Sequence, residues 1–129
     1  MSQFVVFVNG PAYGSQHAYS ALRFCQAAIA AGHQLRQVFF YQDGIHNASA
    51  LLSPASDEFN MGSAWQQLNQ QGVELVCCVS AALRRGVVDD QAAADIDASG
   101  GNVASPFSLG GLGEYVTAAA DADRVVQFG

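Results

Sequence analysis

Short apolar runs alternate along the chain with segments whose apolar positions recur three and four apart. Phe4 to Val8 reads FVVFV, an unbroken β-branched and aromatic run that suits a strand covered on both faces. The glycine- and proline-bearing stretch Asn9 to Gly14 then predicts a loop. From Ser15 to Ala31 the period becomes helical: Ala18, Leu22, Cys25 and Ile29 share one stripe, and Gly32 supplies a stop. Leu35 to Tyr41 predicts a second strand, followed by a long polar segment through Asp57. A helix over Phe59 to Gln71 carries Trp65 and Leu68 inward and stops at Gly72, and Val73 to Val79 predicts the third strand.

Beyond it, Ser80 reads as the N-cap of a short helix, Ala81 to Arg85, that ends at Gly86. Asp89 to Ala98 predicts another short helix, Ser99 to Gly101 a loop, and Asn102 to Ala104 a further short strand. Leu109 to Ala122 predicts the last helix and Arg124 to Phe128 the final strand. Strands alternating with helices predict an α/β fold, with a parallel or mostly parallel sheet of about five strands flanked by helices.

At 129 residues and 50% hydrophobic content, the chain is expected to form one domain over residues 1–129 with a core of its own. No apolar run approaches the roughly 20 residues that cross a bilayer. The opening MSQFVVFVNGP has no basic region ahead of a long apolar one, so it reads as a strand and predicts a cytoplasmic protein. The net charge is -6 and all five basic residues are arginines, which argues against electrostatic capture of nucleic acid. Three cysteines, an odd number, predict free thiols and not a disulfide framework.

In open α/β sheets ligands bind beyond the carboxyl ends of the strands, so each loop after a strand is a candidate. The first, NGPAYGSQ, resembles a phosphate loop only superficially: three residues separate Gly10 from Gly14, and the chain has no lysine. A tight turn that starts a helix is the reading its spacing supports, with Tyr13 a candidate pocket wall. The second, YQDGIHNA, brings Asp43 and His46 near each other, a pair suited to acid–base work but lacking a nucleophile or metal partner at a known interval. His17, His33 and His46 are scattered, and none pairs with a cysteine or a second histidine at zinc-like spacing. Neither a metal nor an organic cofactor is expected.

The third loop follows ELVCCVSAALRRG, Glu74 to Gly86, and holds two adjacent thiols. Cys25 sits on the stripe of Leu22 and Ile29 and reads as a core side chain. Cys77 and Cys78 point to opposite faces if the strand runs through both. Cys78 stands nearer the strand end and the following helix, whose N-terminal amides and dipole stabilise a thiolate. Placement therefore favours Cys78 as the reactive thiol and leaves Cys77 open. Arg84 and Arg85 lie towards the far end of that helix, available either to the thiolate or to acidic groups and solvent.

Taken in order, GPAYGSQ at Gly10 to Gln16, VFFYQDGIHNA at Val38 to Ala48, SPASDEF at Ser53 to Phe59, AWQQLN at Ala64 to Asn69, CVSAALRRGVVD at Cys78 to Asp89 and DRVVQF at Asp123 to Phe128 resemble the DsrE/TusD family of sulfur-relay proteins, nearly end to end. The resemblance implies a DsrE-like fold and a sulfurtransferase that carries persulfide sulfur on the cysteine opening CVSAALRRG, which is Cys78. It implies TusB- and TusC-like partner subunits in a heterohexamer, a TusA-like sulfur donor and a TusE-like acceptor, serving 2-thiolation of the tRNA wobble uridine. Exchange of this kind needs an exposed thiolate and no cofactor. A DsrE-like subunit of a dissimilatory sulfur-oxidation relay, and a scaffold subunit with an incidental thiol, are the alternative readings.

Overall fold

The computed structural model describes residues 1–129. Its elements follow in the order β1 (Gln3–Val8), α1 (His17–Ala30), β2 (Gln34–Phe40), a 3-10 helix (Gln42–Ala48), α2 (Met61–Gln70), β3 (Glu74–Cys78), α3 (Val79–Arg84), α4 (Asp90–Asp95), β4 (Ser108–Gly110), α5 (Leu112–Asp121) and β5 (Arg124–Phe128). The strands form one sheet in the order β4-β3-β2-β1-β5, and every pairing is parallel. The expected α/β architecture is therefore the observed one.

Side-chain alternation divides the sheet into two faces. Phe4 meets Phe24 of α1 edge-on and Phe40 meets Trp65 of α2 in the same way, so α1 and α2 cover one face. Phe7 and Phe39 meet Tyr115, which puts α5 on the other. A bulge in β2 sets the register there: Phe4 pairs with Leu35 but Val5 with Gln37, leaving Arg36 as the extra residue. Leu35 thereby stays on the α1 face, while Gln37 turns to the α5 face. Trp65, Phe39, Phe40, Leu22 and Ile45 are fully buried at the centre.

Three local expectations are corrected. Leu109 and Gly110, expected to start the last helix, belong instead to a strand, Ser108–Gly110, that pairs with Val76, Cys77 and Cys78. Consecutive glycines at 110 and 111 disfavour helix, so the chain stays extended until Leu112. The expected strand at Asn102–Ala104 reduces to one antiparallel bridge, Ser49 with Val103. That stretch spends its amides elsewhere: Asn102 N–H donates to the Val88 carbonyl at 2.8 Å and Ala104 N–H to that of Ala48 at 2.7 Å. Finally, α3 begins at Val79, with Cys78 and not Ser80 at its N-cap.

Candidate functional site

Because all five strands run the same way, their carboxyl ends share one edge, where the loop after β1, the 3-10 helix and α3 gather. Cys77 pairs with Phe40 and Leu109, and Cys78 with Gly110. Register puts Cys77 on the face of Phe40 and Trp65, and alternation turns Cys78 to the α5 side with Val76. Cys77 is 0% exposed, and burial, helped by the adjacent Cys78, pushes its thiol up from 9.0 to about 12. Cys25, on the inner stripe of α1, is pushed up to about 12 by burial as well. Both are held as neutral thiols, poor nucleophiles at neutral pH.

Cys78 is the last residue of β3 and the N-cap of α3, with φ −60° and ψ 118°. Its side chain makes no capping hydrogen bond. The expectation of an exposed thiol is corrected: Cys78 is 4% exposed and lines none of the surface grooves. On one side β4 continues the sheet as far as Gly110, the partner of Cys78, while pairing with β2 ends one residue earlier, at Cys77.

The expected Asp43–His46 pair does not form. Asp43 Oδ1 instead accepts from Arg85 Nε at 2.9 Å, and Arg85 also donates to the Ala81 carbonyl at 3.2 Å. Arg85 is thus committed to its own helix and to the 3-10 helix. It stands about 10 Å of helix rise from Cys78. Arg84 lies in the last turn of α3. Tyr13 is an anchor: its hydroxyl donates to the Phe59 carbonyl at 2.6 Å and accepts from Met61 N–H at 3.2 Å, tying the first loop to the start of α2.

The residue that organises this edge is Asn47, which sequence patterning passed over. It is 1% exposed, donates to the carbonyls of Gly10 at 3.0 Å and Gly44 at 2.9 Å, and accepts from Trp65 Nε1 at 3.0 Å. One amide thereby joins the first loop, the 3-10 helix and α2. The signal that points to such a group is Trp65 itself, because a buried indole N–H needs an acceptor. Gly44 completes the arrangement: a Cβ there would strike the Val8 carbonyl, so only glycine lets the 3-10 helix lie against the end of β1. The chain gathers no cluster of three or more His, Cys, Asp or Glu side chains. No helix is long and apolar enough to cross a membrane.

A sequence profile of the DsrE/DsrF-like family matches residues 2–128. The sulfurtransferase TusD of Enterobacter sp. (strain 638) is 53% identical over 127 residues, covering 98% of this chain and 99% of that protein. In structure, the ychN protein of E. coli superposes with a TM-score of 0.80 at 22% identity, over 99% of this chain and 100% of that one, and so shares the fold. Identity of this extent makes the chain a sulfurtransferase of the sulfur-relay type. It belongs to the DsrE/DsrF-like family.

Proposed function

We propose that Cys78 is the sulfur carrier, receiving persulfide sulfur from a TusA-like donor and passing it to a TusE-like acceptor for 2-thiolation of the tRNA wobble uridine. The observation that carries this reading is the end-to-end likeness to a TusD sulfurtransferase, combined with the place of Cys78 at a strand-to-helix junction on the carboxyl edge of the sheet. Cys77 and Cys25, whose thiols burial raises to about 12, are poor competitors for the role.

The chemistry is thiol–disulfide-type exchange. The Cys78 thiolate attacks the outer sulfur of the donor persulfide. The donor S–S bond breaks and its cysteine leaves as a thiolate, while Cys78 gains the outer sulfur as a persulfide. In the second transfer an acceptor thiolate attacks that outer sulfur, and Cys78 leaves as the thiolate. One sulfur atom moves at each step and no external oxidant or reductant is consumed. Because Cys78 is 4% exposed in the isolated chain, docking of the donor has to open a path to it. TusB- and TusC-like subunits complete the proposed assembly, which the exposed Leu112, Val116 and Val125 on α5 and β5 support as an apolar surface available to another chain.

Intact-protein mass spectrometry after incubation with a persulfide donor tests the assignment. One added sulfur on wild type and Cys77→Ser, but none on Cys78→Ser, is the expected result. Loading that survives Cys78→Ser would sink the mechanism. Loss of the thiolated wobble uridine on deletion, with co-purification of a TusE-like protein, is the expected outcome in the cell.

A further inference from the structure

Register and alternation fix what surrounds Cys78 on the α5 face. Val76, two residues earlier on the same strand, shares that face and is 2% exposed. On the β2 side the neighbour is Tyr41. Phe40 pairs with Cys77, and the chain stays extended through Tyr41 at φ −134° and ψ 159°. The Tyr41 ring therefore turns to the α5 face, where it meets Phe7 with centroids 5.7 Å apart. On the β4 side the ladder partner is Gly110, which has no side chain to set beside the thiol.

That place is filled from another element. Glu114, in the first turn of α5, folds its carboxylate over Gly110 so closely that a Cβ there would collide with it. Neighbouring strands lie about 4.8 Å apart and ladder partners present their side chains on one face. The carboxylate thus occupies the position next to Cys78 that a side chain at 110 would otherwise take. Val76 and Tyr41 are packed into the core, whereas Glu114 is an exposed residue that forms no salt bridge. It also has another place to rest. Glu114 is the third residue of α5, the position from which a glutamate reaches back to the N-cap amide, and the N-cap Gly111 supplies no side-chain cap of its own.

We infer that Glu114 is a movable cover on Cys78: its side chain closes the α5 side of the thiol in the free chain and swings back to the start of its own helix when a sulfur donor docks. The inference rests on the reading of Cys78 as the sulfur carrier, and it names the group whose displacement opens the path that reading requires. Because the carboxylate stands where an ordinary side chain would stand, its bulk is what bars approach. Glu114 acts on access to the thiol and takes no part in the exchange itself.

Alkylation kinetics of the full chain with iodoacetamide, a neutral reagent, at neutral pH and with peptide mapping, test it on wild type, Glu114→Ala and Glu114→Gln. Glu114→Ala is expected to raise the rate at Cys78 about tenfold while Cys25 and Cys77 stay slow, and Glu114→Gln, of the same size, to remain within about twofold of wild type. An unchanged rate in Glu114→Ala would overturn the cover. Equal acceleration at all three thiols would show a general loosening in place of a local opening, and a Glu114→Gln rate matching that of Glu114→Ala would make charge the barrier; either result overturns it too. The comparison stands apart from sulfur chemistry: persulfide loading that bypasses Cys78 sinks the carrier role, while alkylation alone judges the cover.

Discussion

Trp65 Nε1 donates to Asn47 Oδ1 at 3.0 Å, with the tryptophan 0% and the asparagine 1% exposed. This bond is the join between the α2 layer and the carboxyl edge of the sheet, because the same asparagine holds the carbonyls of Gly10 and Gly44. Asn47→Ala removes an acceptor and two donated bonds at once and leaves three buried groups unpaired. A loss of about 2–4 kcal/mol is expected in urea unfolding. Trp65→Phe, which keeps the ring against Phe40 but drops the N–H, is expected to cost less, about 1–2 kcal/mol beyond the smaller ring. A cost for Asn47→Ala no greater than for an exposed asparagine would disprove its joining role.

The buried thiols give stability a dependence on alkaline pH. Cys25 and Cys77 are raised from an ordinary 9.0 to about 12, so the folded chain keeps protons that the unfolded chain releases. Their contribution is fully present below pH 9 and is lost as pH rises from 9 towards 12. Thermal unfolding of wild type is therefore expected to lose stability across that window more steeply than Cys25→Ala with Cys77→Ala. Parallel pH profiles for the two proteins would refute this.

Arg85 and Asp43 form the second ion pair of the molecule, at 2.9 Å, with side chains 27% and 64% exposed. Half-solvated pairs contribute little, so a double-mutant cycle with Arg85→Ala and Asp43→Ala is expected to give a coupling of about 0.5 kcal/mol, shrinking as salt is raised. A coupling several times larger, insensitive to salt, would mean that the pair is a structural clamp on the 3-10 helix.

Four of the five strands were readable because each is a short segment rich in β-branched and aromatic residues, such as FVVFV in β1 or RVVQF at β5. The helices of α1 and α2 were readable from period and from stopping glycines, within one or two residues at their ends. What escaped was decided by partners distant in sequence. Ser108–Gly110 becomes a strand because β3 offers a free edge, which no local pattern records. Asp43 turns to Arg85, 42 positions away, and not to His46 beside it. Gln37 follows another polar residue, Arg36, and only the bulge there decides which face it joins. The position of Cys78 at the strand end followed from its distance to the helix; its burial did not, because the closing strand β4 was itself unforeseen.

That burial makes the order of thiol modification a direct reading of the site. Cys25 lies inside α1 at 0% exposure and Cys77 inside the sheet at 0%, so both need a large opening of the fold before a reagent reaches them. Cys78, at 4%, ends its strand, and fraying of the three-residue β4 beside it is a smaller opening than unfolding the core. Iodoacetamide at neutral pH, followed by peptide mapping, is expected to label Cys78 at least about tenfold faster than either of the others. Pro substitution at Leu109, which blocks pairing of β4 with Cys77, is expected to accelerate labelling of Cys78 further while leaving Cys25 slow. Simultaneous labelling of all three thiols would mean that access requires global unfolding, and would refute local opening beside β4 as the route to Cys78.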